Sequence, residues 1–449
     1  MTELTNFNYS HALVLGLAKS GTAAAQLLLN SGINVRINDK LSDETDDVVL
    51  NLKEMGAEVI VGSHPLSVLE TIDVIIKNPG IPYENPVIVE AMNRNIPVLT
   101  EIELANDLVE GNIIGITGSN GKTTTTTLTT SMIAESNLPV KEAGNIGKVA
   151  SEVARNLDVN ETLVLELSSF QLMGIKEFKP NTAVLLNIYE AHLDYHKTME
   201  NYKNAKYNIF MNQSPEDYLV YNDDDQNLRE AVKDAKSVKI PFSITRRLQD
   251  GAWADKTSIY FKNEKIMDKK DIVLVGDHNI ENILAAVCAA KLNGATNEAI
   301  QKVLKTFSGV EHRFQFVARI DDRLFYNDSK GTNILATQKA LDSFDQPIIL
   351  LAGGLDRGND FDELLPYLKN VKAMVLFGET KMKLKDLAKK AGITTVELVE
   401  DVTIAVEKAY SLSRQDDVIL LSPACASWDQ YRSFEERGDM FVQAVHTLE

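Results

Sequence analysis

The chain has little of what a secreted or membrane-spanning protein needs. It holds two cysteines in 449 residues, Cys288 and Cys425, too few for a disulfide framework, so a reducing compartment is expected. Cys288 lies in the apolar run 283–290 and reads as a core residue. No apolar run approaches the roughly 20 residues that cross a bilayer. The opening Met1-Thr2-Glu3-Leu4-Thr5-Asn6 lacks the basic-then-apolar order of a secretion signal. Positive charge is also scarce. Lys plus Arg number 46 against 64 Asp plus Glu, a net charge of −18, which disfavours nonspecific binding to nucleic acid or to anionic membrane. The lysines at 381, 383, 385, 389 and 390 read as a solvated helix face. A cytoplasmic enzyme or binding protein is expected, with no nucleic-acid or membrane partner.

What is present is ordinary globular material, 44% hydrophobic and 24% charged, enough for several buried cores. Strand-like runs alternate with helix-like ones in three successive regions. The first has strands at 11–16, 35–39, 58–61 and 73–77. The second has strands at 112–117, 163–167 and 183–187, a stretch at 241–271 that reads as a small antiparallel sheet, and a helix at 279–292. The third has strands at 347–351, 373–377 and 417–421. Such alternation predicts α/β domains with parallel sheets. Three domains are expected: 1–102, Rossmann-like; 103–309, a central mononucleotide-binding domain of P-loop type; and 310–449, Rossmann-like again.

Two glycine turns carry chemistry. Gly16-Leu17-Ala18-Lys19-Ser20-Gly21 follows a strand and opens a helix, with Asp39 at the distance of a ribose contact. Ala18 stands where the middle glycine lets a pyrophosphate approach the backbone. A dinucleotide, another diphosphate ligand and a structural turn all stay open here, the second favoured. Gly118-Ser119-Asn120-Gly121-Lys122-Thr123 also joins a strand to a helix and is the stronger signal. Backbone amides of such a loop converge on phosphate oxygens, its lysine meets the outer phosphates, and its hydroxyl suits Mg²⁺. Ile116 occupies the position of the usual first glycine. The run Thr123 to Thr127 is poor helix material, so packing must hold it.

From this loop onward the sequence resembles the Mur ligases and folylpolyglutamate synthetases. The resemblance starts at Thr117–Thr123. It continues through Gly144-Asn145-Ile146-Gly147, Glu166–Gln171, His192-Leu193-Asp194, Tyr202–Lys206, His278–Asn282, Glu311-His312-Arg313, Asn327–Asn333, Gly353-Gly354 and Leu421–Gln430, in family order. The last of these motifs, Leu421–Gln430, together with Phe434 and Arg437-Gly438, resembles the branch that uses D-glutamate.

The resemblance implies an ATP-dependent amide ligase of peptidoglycan precursor synthesis. It would join D-glutamate to UDP-N-acetylmuramoyl-L-alanine through an acyl phosphate, and act as a monomer. It places ATP against Gly118, Ser119, Asn120, Gly121, Lys122, Thr123, Thr124, Asn279, Asn282, Arg313 and Asp328, bridging the second and third regions. It implies Mg²⁺ at Thr123, Glu166, His192 and Lys206, with Lys206 carbamylated. The UDP substrate would meet Leu17, Ala18, Asp39, Lys40, Gly80, Asn145 and His192. D-glutamate would meet Lys330, Thr332, Arg357, Ser427 and Phe434. Catalysis would rest on Lys122, Glu166, His192, Lys206 and Lys330. Two positions depart from the family pattern: Ala191 where Asp often precedes the histidine, and Arg357 where Lys is common.

Other readings are weighed against this one. A different amide ligase on the same scaffold would lack this N-terminal turn and this C-terminal ending. A nucleotide-binding regulator would not need Glu166, His192, Lys206 and Lys330 together. Ala18 counts against an NAD-dependent dehydrogenase.

Overall fold

A computed structural model describes residues 3–448, so Met1 and Thr2 of the polar start lie outside the described residues. The chain forms two compact units. The first runs to Lys269 and also takes in Ile280–Val303; the second comprises Lys270–Asn279 and the chain from Leu304 onward.

The first unit contains two sheets. The N-terminal one has five parallel strands in the order Glu58–Val61, Asn34–Asp39, His11–Leu15, Val74–Lys77, Val98–Leu99. This arrangement puts the turn after His11–Leu15 where the order reverses, the usual ligand position of an open α/β sheet. Gly21 is required there by packing alone, because a β-carbon on it would collide with the carbonyl oxygen of Gly16.

The second sheet has nine strands. Val140–Gly144, Thr162–Glu166, Ile113–Thr117, Thr182–Leu185, Tyr218–Asn222, Val238–Ser243 and Ala252–Ala254 are parallel neighbours in that order. Ser258–Phe261 and Glu264–Asp268 then add on antiparallel. The segment expected to form a small antiparallel sheet does pair antiparallel, and it also continues the main sheet, because Phe242 and Ser243 pair with Ala252 and Trp253. The central strands are buried on both faces and therefore read as unbroken apolar runs rather than alternating ones.

The second unit is built on six strands in the order Gln315–Ile320, Arg323–Asn327, Val418–Leu421, Ile348–Gly353, Val371–Phe377, Thr395–Leu398. The first pair is antiparallel and the rest parallel. Two apolar layers cover its faces, one around Leu350, Leu376 and Leu420, the other around Ile349, Val375 and Phe441. The lysines of the helix Lys381–Lys390 lie on its solvent side, while Leu384, Leu387 and Ala388 face inward. Cys288 and Cys425 are both free and buried. Among the described residues no helix is long and apolar enough to cross a membrane.

Candidate active site

The stronger glycine loop joins the strand Ile113–Thr117 to the helix Lys122–Glu135. Gly121 is its hinge. It has φ +81°, and a β-carbon there would collide with the side-chain amide of Asn282. Asn282 therefore sits directly on the loop. Asn187 clamps the loop from the neighbouring strand end: its Oδ1 accepts from the Asn120 amide at 2.9 Å and its Nδ2 donates to Asn120 O at 3.2 Å. Ser119 Oγ meets the Tyr202 hydroxyl at 2.8 Å and accepts from the Tyr189 amide at 2.9 Å. The Lys122 ammonium folds back onto Gly118 O and Ser119 O at 2.9 and 3.1 Å. It thus lies over the loop whose amides open the helix, where an anion binds best.

The threonine-rich start of that helix is held by burial. Thr123, Thr124, Thr125, Thr126 and Thr129 are all buried, and Thr129 Oγ1 returns a bond to Thr125 O at 2.7 Å. This satisfies a hydroxyl that would otherwise compete with the helix backbone.

Glu166 ends the strand Thr162–Glu166 and is 1% exposed. Its Oε1 accepts from Asn145 Nδ2 at 2.8 Å, and its Oε2 is buried with no protein partner. A buried carboxylate oxygen left unsatisfied is costly, and a cation satisfies it. Lys206, on the helix Met199–Tyr207, is also 1% exposed. Its Nζ donates to Gly118 O at 2.8 Å and lies 4.9 Å from the Tyr202 ring centroid. Burial, then the nearby Lys122 charge, push its ammonium well below the ordinary lysine range, while Glu166 opposes them.

His192 adopts φ +56° at the start of the short helix Leu193–His196. Burial, Lys122 and Lys206 hold its imidazole below the usual value, favouring the neutral form that binds metal. Sequence reasoning missed His196, which stands one helical turn further on. It is buried, shares a 2.9 Å hydrogen bond with Ser169 Oγ, and stacks on Phe170. Burial first, then His192 and Lys206, lower it to about 4. The i,i+4 spacing of the two histidines was the available signal. Lys77, Asn187 and Tyr202 were not named as site residues either, although Lys77 and Asn187 each close an apolar strand run and Tyr202 opens the motif Tyr202–Lys206.

In the N-terminal sheet, Leu17, Ala18, Asp39, Lys40 and Gly80 gather at the carboxyl ends of three adjacent strands. Asp39 turns its carboxylate onto backbone. It accepts from Leu17 N at 2.7 Å and from the amides of Leu41 and Ser42 at 2.7 and 2.8 Å. Burial pushes this carboxyl up, but the three amides outweigh it and hold it below its usual value.

The second unit holds the other expected residues. Asn279 is buried near the start of the helix Asp277–Leu292 and donates to Val275 O at 2.7 Å. Asp328 accepts from Ser422 Oγ at 2.8 Å and from the Phe314 amide at 3.2 Å, one residue beyond Arg313. Burial raises its carboxyl to about 7 against those bonds and the nearby Arg313 and Arg437. Lys330 Nζ lies 5.2 Å from the Phe434 ring centroid, and Thr332 follows in the same turn. Ser427 is 1% exposed, and its Oγ has no protein partner. Next to it, Trp428 is exposed and stacks against the Arg357 guanidinium at 4.9 Å. Arg437 is fully buried and ties this end together, donating to Ser329 O at 2.8 Å and to Cys425 O at 3.2 Å.

A glycine loop at a helix start, a buried carboxylate with one unsatisfied oxygen and a buried lysine bonded to the loop make a site suited to a phosphate-bearing ligand. Three family models agree: the Mur ligase MurD-like N-terminal domain at residues 10–100, the Mur ligase middle domain at 116–290, and the Mur ligase glutamate ligase domain at 312–425. The chain belongs to the Mur ligase family, on its MurD-like branch. It is 60% identical to a protein from Oceanobacillus iheyensis named UDP-N-acetylmuramoylalanine–D-glutamate ligase, with both chains covered completely. A protein of the same name from Bacillus cereus is 54% identical, again over the whole of both chains. Among solved structures, MurF ligase from Thermotoga maritima in complex with ADP matches with a TM-score of 0.58 at 17% identity, covering 99% of this chain and 98% of that one. UDP-N-acetylmuramate–alanine ligase from the same organism matches with a TM-score of 0.56 at 18% identity, covering 98% and 100%. These two likenesses concern the fold.

Proposed function

We infer that the chain is an ATP-dependent ligase that adds D-glutamate to UDP-N-acetylmuramoyl-L-alanine, in the cytoplasm, where ATP and the UDP-linked precursor are found. The observation that carries this is that Lys122 and Lys206 both bond Gly118 O of one loop, with Glu166 on the strand paired to the one entering it, in a chain that matches D-glutamate ligases from end to end.

The substrate carboxylate is a poor electrophile, because an oxide cannot leave. Its oxygen attacks the γ-phosphorus of ATP, ADP departs, and an acyl phosphate forms. The D-glutamate amine then attacks the acyl carbon. The tetrahedral intermediate expels phosphate, and the nitrogen loses a proton to give the amide. Both steps crowd anions together, so positioned cations and N–H donors supply most of the rate. Lys122 and the amides of Gly118–Thr124 hold the triphosphate. Asn279, Asn282, Arg313 and Asp328 hold the nucleoside side. Leu17, Ala18, Asp39, Lys40, Gly80 and Asn145 seat the UDP substrate. Lys330, Thr332, Arg357, Ser427 and Phe434 orient D-glutamate.

Thr123, Glu166, His192 and Lys206 would hold Mg²⁺. The unsatisfied Glu166 oxygen and the neutral-leaning His192 suit that ion's needs. When bound, Mg²⁺ would neutralise charge on the phosphate oxygens. Lys206 fits carbamylation by CO₂, because burial favours the uncharged amine that reacts and the product is an anion suited to the metal.

Phosphate release from ATP tests the reading. It should require both UDP-N-acetylmuramoyl-L-alanine and D-glutamate, with L-glutamate a poor replacement because inverted chirality misdirects the amine. Equal rates with the two enantiomers would leave an amide ligase but remove the D-glutamate assignment.

A further inference from the structure

Lys77 ends the strand Val74–Lys77, is 1% exposed, and has no carboxylate among its hydrogen-bond partners. Its three N–H groups are shared among four oxygens. Pro79 O and Ile81 O accept at 3.0 and 2.8 Å, Asn78 O at 3.3 Å, and the Tyr195 hydroxyl at 3.1 Å. The ammonium also lies 5.0 Å from the Tyr83 ring centroid and 5.8 Å from that of Tyr195. Burying a cation among neutral dipoles is expensive, so a lysine here is a poor choice for stability alone. Burial lowers its ammonium to about 7.

The two ends of this arrangement explain its use. The carbonyls belong to the turn Asn78–Ile81, which contains Gly80. Tyr195 belongs to the short helix Leu193–His196, directly after His192. The Tyr195 hydroxyl is also within 2.9 Å of Ile81 O and 3.3 Å of Pro79 O. Its ring meets Phe170 edge-on at 4.6 Å, and Phe170 in turn packs against both His192 and His196. Tyr83, on the other side of the ammonium, donates to Met173 O at 3.1 Å. Lys77 is therefore the knot between a turn on the N-terminal sheet and the helix that presents His192.

We propose that Lys77 is a positioning residue for the UDP substrate: it sets the Asn78–Ile81 turn in register with the His192 helix, so that a substrate seated on the turn delivers its carboxylate to the phosphate loop. This rests on the ligase reading above. Lys77 touches no reacting atom. It acts through the turn carbonyls and through Tyr195.

The test uses the full-length enzyme with ATP, Mg²⁺, UDP-N-acetylmuramoyl-L-alanine and D-glutamate. Wild-type turnover with these substrates establishes the ligase reading independently of Lys77. Lys77→Met should then raise KM for the UDP substrate by about tenfold, the scale of losing a charged hydrogen-bonding group, with KM for ATP unchanged. Tyr195→Phe removes one oxygen and little volume, and keeps the variant folded should Lys77→Met fail to fold. It should raise the same KM by a few-fold, roughly the effect of one neutral hydrogen bond. The double variant should be no worse than Lys77→Met, because both changes cut one link. Melting temperature measured alongside separates positioning from stability. A wild-type KM for the UDP substrate in Tyr195→Phe, or equal rises in KM for ATP and the UDP substrate in either variant, would overturn the proposal.

Discussion

Asn145 donates its side-chain amide to Glu166 Oε1 at 2.8 Å and leaves Glu166 Oε2 buried without a protein partner. Glu166 ends one strand and Asn145 directly follows the end of the parallel neighbour, where Gly144 pairs with Glu166. One oxygen is thereby fixed by protein, and the other is the one that the proposed function assigns to Mg²⁺. Glu166→Gln should lower kcat by about 10²–10³, the usual cost of losing one pre-aimed electrostatic group. It should also raise the Mg²⁺ concentration needed for half-maximal rate, and leave the fold intact. A magnesium titration of phosphate release reads both effects.

Lys122 bends over its own loop to Gly118 O and Ser119 O, so its ammonium is already placed over the amides that open the helix. Lys122→Ala should remove most ATP turnover, by about 10²-fold or more, with a melting temperature close to wild type. Near-normal turnover that still depends on the UDP substrate would defeat the assignment of the loop.

Lys206 gives a chemical signature. ¹³C-bicarbonate should produce a carbamate resonance in the wild-type enzyme under turnover conditions that is missing from Lys206→Ala. The variant should lose activity and recover part of it with a small carboxylic acid that enters the vacated space. With no such resonance, the lysine acts as an amine.

Ser427 places a buried hydroxyl without a protein partner beside the exposed Trp428–Arg357 stack. Ser427→Ala should raise KM for D-glutamate by about tenfold. Its melting temperature should not fall, since no internal hydrogen bond is lost. Destabilisation with an unchanged KM would show the hydroxyl to be structural.

Glu101, outside the proposed site, supplies a pH test. It is buried, accepts from the Ser151 amide, and is raised by burial to about 7. Between the ordinary glutamate value and about 7, the unfolded chain gives up this proton while the folded chain keeps it. Wild-type stability therefore falls as pH rises through that window, and the deficit is constant above it. Glu101→Gln removes the term. Relative to wild type it should gain roughly 2–3 kcal/mol between pH 4 and pH 8. Denaturant melts at the two pH values check the sign.

How much of this was legible depends on the range of the forces involved. Apolar runs such as 13–15, 163–165 and 418–421 announce strands buried on both faces, because burial needs no partner to be visible in sequence. Glycine spacing likewise announces the phosphate loop, since only glycine tolerates φ +81° with Asn282 packed against it. The edge strands Gln315–Ile320 and Val140–Gly144 were not read. Both are half-solvated: Val140–Gly144 has Lys141 and Glu142 in its middle, and Gln315–Ile320 has only the short run Phe316-Val317-Ala318 between Gln315 and Arg319.

The sequence by itself determined the α/β class, the phosphate loop and the order of the candidate residues, since each is encoded in local spacing and side-chain type. Tertiary structure decided how each residue is used. Lys206 and Lys77 are indistinguishable from solvated lysines until folding surrounds their ammonium groups with protein and lowers both. Asp39, spaced like a ribose contact, has its carboxylate aimed by the amides of Leu17, Leu41 and Ser42. Glu166 gains an unsatisfied oxygen only because Asn145, 21 residues away along the chain, takes the other one. Spacing specifies which groups exist. Desolvation and hydrogen-bond partnership arise from segments distant in sequence, and they set charge state and direction.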